Sequence, residues 1–147
     1  MALRWRASID HFASFRFADP AAAPRAARTL KGLAERLREG LAFDGAEIGE
    51  PFGDEALAMF TIAFGTSLFG GYEINVGVSP DGGTSNTAWS LHVQTPQAGM
   101  LERSWRPKLE MMKVVERRLH GRLLDLGALD LRWRVLERRD DPGQAAP

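Results

Sequence analysis

Residues 55–95 constrain this chain more than any other stretch, because three runs within them alternate with a period of two and keep one apolar face in common. Phe60, Ile62 and Phe64 take even positions in the first run, and Tyr72, Ile74, Val76 and Val78 do so in the second. In the third run the odd positions Thr87, Trp89, Leu91 and Val93 carry the pattern. Joining the first two runs through 65–71 sets Phe64 opposite Tyr72 and Ile62 opposite Ile74. Joining the second and third through 79–86 sets Val76 opposite Trp89 and Ile74 opposite Leu91. A slip of one residue would throw half of these groups to the other face. Gly65, Gly70 and Gly71 in the first loop, and Pro80, Asp81, Gly82 and Gly83 in the second, suit turns. A tight Gly70-Gly71 hairpin is the competing join; it pairs Phe69 with Tyr72 but carries Phe64 to the face of Glu73.

The same registers fill the opposite face. Thr61 comes beside Asn75, Ala63 beside Glu73, Asn75 beside Ser90 and Glu73 beside His92, with Gln94 just beyond. Thr61, Glu73, Asn75, Ser90, His92 and Gln94 thus form a candidate polar site, six short polar groups on a face with no lysine or arginine. Glu73 and His92 could act there as orienter and base. An exposed cross-strand pair on a solvated sheet face accounts for the same residues without function.

Two helices and three further strands, one of them a short edge strand, surround this meander. Residues 3–17 alternate, with Leu3, Trp5, Ala7, Ile9, Ala13, Phe15 and Phe17 on one side; only His11 and Phe12 break the pattern. This reads as an amphipathic strand bent near His11, with a short helix over 8–15 as the alternative. A helix is expected from about Pro24 to Glu39, apolar along Ala26, Leu30, Leu33 and Leu37 and stopped by Gly40. A short edge strand is expected near 46–49, ended by Pro51 and Gly53. A second helix, capped by Ser104 with Pro107 in its first turn, should run to His120 and stop at Gly121, burying Trp105, Leu109, Met112, Val115 and Leu119. Leu129, Leu131, Trp133 and Val135 make a last strand, with Asp130, Arg132 and Arg134 facing out.

The expected fold is therefore α+β, a mostly antiparallel sheet of about five to six strands with two helices on one face, in the order β-α-(β)-β-β-β-α-β. The 147 residues suit one domain over 1–137, followed by a fraying tail over 138–147.

A net charge of zero conceals a division along the chain. Residues 1–38 hold eight basic and three acidic side chains, 39–102 hold nine acidic and no basic ones, and 103–147 hold eleven basic and seven acidic. Internal pairing of basic helices with an acidic sheet edge would explain this division. An acidic surface that steers a basic partner would explain it too, with Asp44, Glu47, Glu50, Asp54 and Glu55 as the partner-binding candidates.

Other chemistries find no footing. Cysteine is absent, which removes disulfides, thiol nucleophiles and cysteine metal sites. His11, His92 and His120 lie in separate elements without metal-ligand spacing; His120 suits a helix C-terminus and His11 a strand bend. The acidic run lacks the spacing of a calcium loop, 65–70 lacks the context of a nucleophile elbow, and no phosphate-binding or dinucleotide fingerprint occurs. Neither a metal nor a cofactor is expected. ALRWRA at 2–7 echoes DLRWRV at 130–135, as two terminal strands with inward tryptophans and outward arginines would. Those arginines could meet phosphates, but the overall neutrality disfavours nucleic acid. No apolar run reaches membrane-spanning length, and arginine outnumbers lysine 16 to 3, the bias of a GC-rich bacterial genome. The expectation is a cytoplasmic bacterial protein without catalytic chemistry, acting through its acidic central region on a basic macromolecular partner in an inhibitory or accessory role, with homo-oligomerisation compatible. The alternative is a small enzyme or ligand-binding module built on the polar sheet face.

Overall fold

A computed structural model describes residues 9–17, 29–65, 72–80, 88–95, 105–135 and 143–147. Their order is β1 (Ile9–Arg16), α1 (Leu30–Glu39), β2 (Ala46–Ile48), β3 (Phe52–Gly53), β4 (Ala58–Phe64), β5 (Tyr72–Pro80), β6 (Ala88–Thr95), α2 (Trp105–Asp125) and β7 (Leu129–Val135). The strands form one antiparallel sheet in the order β2-β4-β5-β6-β1-β7, and β3 pairs with β4. This is the α+β fold expected, with one strand more than foreseen because β3 is a two-residue addition. Both helices cover the same face. Phe60, Ile62, Ile74, Val76, Leu91, Val93, Ala13 and Phe15 from the sheet bury against Leu33, Leu37, Met112, Leu119 and Leu123 from the helices in one hydrophobic cluster. No helix of the described residues is long and apolar enough to cross a membrane.

β4 and β5 pair as their alternation dictates, Ile62 with Ile74 and Phe64 with Tyr72. β5 and β6 do not. Val76 meets Val93 and Val78 meets Leu91, while Trp89 lies opposite Pro80. The strands are displaced by four residues from the expected register, and an even displacement leaves every side chain on its face. In this register Val78 and Leu91 face each other, and both are completely buried. Trp89 moves to the margin, where its ring lies 5.1 Å from Phe17 and 6.3 Å from Phe15.

β1 runs unbent through His11 and Phe12, each paired on both sides, to β6 and to β7. His11 turns toward α2 and bonds Glu116 through Nδ1; Phe12 turns to the uncovered face and stacks on His92, 5.9 Å between ring centroids. The break in alternation marks this strand's ties to two different layers.

α1 begins at Leu30, later than Pro24. Thr29 is extended, and its hydroxyl accepts from the Gly32 N–H at 2.9 Å as an N-cap. Pro24 and Ala26 lie outside the described residues, as do the loops 66–71, 81–87 and 96–104, Ser104 and the segment 2–7.

α2 does not stop at Gly121 or end at His120. It continues to Asp125 because Leu123, one turn beyond Leu119, is fully buried. The stop is Gly127 at φ 90, where Ala128 N–H donates to Leu123 C=O and Gly127 N–H to Leu124 C=O, both at 3.0 Å. That is the Schellman arrangement, with the buried Leu123 and Ala128 at its two ends. Met112, Val115 and Leu119 face the core as expected; the side chains of Trp105 and Leu109 lie outside the described residues.

In β7 the alternation fails at one place. Arg134 faces Phe12 and Arg132 faces Ser14, but Leu129 then faces Arg16, and Asp130 at φ 54 takes up the extra residue as a bulge. Leu129, expected inside, is therefore exposed, and Asp130 pairs with Arg16. Gln144, in the segment expected to fray, exchanges two backbone hydrogen bonds with Trp133.

Candidate functional site

The face of the sheet that no helix covers among the described residues carries all six polar candidates, arranged in rows across the strands. In one row Glu47 on β2, Ala63 on β4 and Glu73 on β5 are neighbours. The next holds Thr61, Asn75, Gln94 and Asp10, and the Thr61 hydroxyl donates to Asn75 Oδ1 at 3.0 Å. A third runs Phe52, Met59, Gly77, His92, Phe12 and Arg134 from edge to edge. The fourth sets Ser79, Ser90, Ser14 and Arg132 in line, with Ser90 buried and Arg134 Nη1 donating to Ser14 Oγ at 2.8 Å.

The pairing of Glu73 with His92 does not occur. His92 lies opposite Gly77, four residues along β5 from Glu73, which is about 13 Å at the rise of a strand. The displaced β5–β6 register is the cause. Glu73 keeps an exposed carboxylate, and its carbonyl accepts from Thr95 Oγ1 at 3.0 Å. An imidazole stacked on a phenyl ring and a distant carboxylate do not make a base with its orienter.

The five acidic candidates divide by environment. Glu50 pairs with Arg38 at 3.1 Å, and the same guanidinium donates to the carbonyls of Ile48 and Gly49. Asp54 is a turn residue: its Oδ1 accepts from Ala56 N–H at 2.8 Å and Leu57 N–H at 3.1 Å, and these bonds hold its carboxyl below the ordinary value. Asp44, Glu47 and Glu55 are exposed and, with Glu73, have no cation within salt-bridge distance among the described residues. No arginine or lysine occurs between 39 and 102 to supply one locally. The basic side chains of the helices go elsewhere, Arg36 and Arg122 both to Glu39. Internal pairing thus accounts for part of the charge division and leaves an acidic corner where β2, β4 and β5 meet.

On the same face, four residues along β4 from Ala63 and about 13 Å from that corner, lies an apolar stripe that sequence reasoning missed. Phe52 and Leu57 are 54% and 44% exposed, and the half-buried Met59 lies between β3 and Gly77. Leu57 leans over Gly77, its Cδ1 only 3.2 Å from where a Cβ would stand, so the bare backbone there makes room for it. The signals were present in sequence: Leu57 and Met59 hold odd positions in a strand whose even positions form the core, and Phe12 breaks its own alternation.

Two histidine contacts were also missed, both under α2. Glu116 falls among the core positions of the helix and is almost wholly buried against His11. One turn later, His120 Nδ1 accepts from Trp133 Nε1 at 3.0 Å, and burial holds its pKa below the usual 6.5. His120 is therefore a mid-helix acceptor rather than a cation at a helix terminus. No group of three metal-ligating side chains gathers among the described residues. No known family model, curated protein or solved structure matches the chain.

Proposed function

We propose that this chain is a non-catalytic binding protein that holds a basic protein partner on the acidic corner of its uncovered sheet face. One observation carries the reading: among the described residues, Glu47 and Glu73 flank Ala63 on a face without a helix, and no cation compensates them. Two strand spacings separate the carboxylates by about 10 Å, within reach of two basic side chains on one partner element. Phe52 and Leu57 offer exposed apolar surface further along the same face. Carboxylates at the rim speed encounter and select against acidic competitors, while apolar contacts supply the affinity. The alternative, an acid–base site built on Glu73 and His92, has lost the contact it required.

The test is charge reversal. Glu47→Lys/Glu73→Lys should abolish salt-sensitive retention of a partner that binds the unaltered chain at low ionic strength, where screening is weak. Glu50→Gln should leave retention unchanged, because Arg38 already engages Glu50. A doubly reversed chain that holds the same partner with the same salt dependence would refute the assignment of the corner.

A further inference from the structure

The two outer edges of the sheet are closed by different means. On β2, the Arg38 guanidinium from α1 caps the Ile48 and Gly49 carbonyls at 2.9 and 2.8 Å. On β7, main chain closes the edge: Trp133 N–H donates to Gln144 C=O at 2.8 Å and Gln144 N–H donates back at 2.9 Å, in antiparallel sense. The closing segment fits tightly against the strand. Gly143 adopts φ 85, and a Cβ there would stand 3.0 Å from the Trp133 carbonyl oxygen and 3.1 Å from Arg134 Cγ. Within it Gln144, Ala145 and Ala146 are all exposed. Arg38 is anchored in a helix with a buried face, whereas Gln144 is held at the edge by two backbone bonds.

We propose that the outer edge of β7 is a strand-addition site for an extended, acidic segment of a partner protein, occupied in this structure by Gln144. An edge strand already paired to main chain has the geometry such a ligand needs, and its outward backbone groups would supply the affinity. Side chains supply the selectivity. Arg132 and Arg134 point to the uncovered face, while Leu131 and Trp133 point to the helices. An incoming strand with carboxylates at alternate positions sets them beside the two arginines, with apolar groups between them beside Leu131 and Trp133. A second copy of this chain fits worse, because antiparallel pairing of β7 with itself about Trp133 sets arginine against arginine. This site is separate from the acidic corner, at the far edge of the sheet.

The experiment uses the full chain and the variant Gly143→Val/Gln144→Pro, which takes away one of the two bonds and the space for the turn while leaving the core untouched. The probes are a short synthetic peptide alternating glutamate and valine, and its lysine–valine counterpart. The acidic peptide should bind the variant roughly tenfold more tightly than the unaltered chain, since the resident segment no longer competes. Hydrogen exchange at the Trp133 amide should quicken in the variant and slow again with the peptide. Arg132→Glu in the same background should weaken the acidic peptide and favour the basic one. Equal binding of both peptides, or no binding to a variant whose circular dichroism matches the parent, would overturn the proposal. Concentration-dependent self-association of the variant without peptide would overturn the choice of partner in favour of a second copy.

Discussion

Replacing His11 by alanine should destabilise this protein far more than a half-buried strand residue ordinarily would. The reason lies on the helix above it. Glu116 has a side chain only 4% exposed, placed on α2 among the fully buried Met112, Val115 and Leu119, and the imidazole of His11 is its partner. Removing the imidazole leaves a buried carboxyl group without its hydrogen-bond partner, a loss of roughly 1–3 kcal/mol. The imidazole is itself 25% exposed, so water reaches part of the contact and a loss of about 2 kcal/mol is expected. For a chain of this length that corresponds to a fall in Tm of about 4–8 °C. Urea unfolding followed by tryptophan fluorescence measures it. His11→Leu combined with Glu116→Leu provides the control, because exchanging both hydrogen-bonding groups for packed hydrocarbon is commonly near neutral or stabilising. A loss below about 1 kcal/mol for the alanine variant, or a double variant less stable than the single one, would refute the argument that Glu116 depends on His11.

Two further outcomes are expected. Burial holds the pKa of His120 below 6.5, so the unfolded chain takes up a proton there before the folded one does. Its contribution to stability is complete above pH 6.5 and is lost as pH falls through the folded value, and His120→Asn, which keeps an acceptor for Trp133 Nε1, should flatten that part of a pH series of denaturation midpoints. Gly121→Ala should stabilise the chain by about 1 kcal/mol in thermal unfolding, because Gly121 lies in mid-helix and a Cβ there meets nothing within 4 Å; a destabilised variant would restore the reading of this glycine as a helix stop.

The positions where sequence reasoning succeeded and failed divide along a physical line. Alternation in β4 and β5 names the buried residues, and of the two joins it allows, the one that keeps Phe64 on the apolar face opposite Tyr72 is the one the structure adopts. The stripe of α1 is equally plain in Leu30, Leu33 and Leu37. Between β5 and β6 the same signal was insufficient, because a pattern of period two is unchanged by a shift of four. The difference between the two registers lies in how Val78, Leu91 and Trp89 pack, and no residue reports that locally. Glu73 and His92 share a face in both registers, but adjoin in only one.

His11, Glu116, Gly121 and Leu129 make the same point. As single letters His11 reads as a bend, Gly121 as a helix stop and Leu129 as a core residue, and nothing local marks Glu116 for burial. A buried partner, one more apolar turn at Leu123 and a bulge at Asp130 reversed each meaning. The amino-acid order by itself determined which faces are apolar, where the charges are concentrated and the α+β class, because these follow from periodicities and composition carried within each segment. Only the assembled layers decided which polar groups touch and which carboxylates stay unpaired, because contacts between segments depend on volumes that no one segment contains.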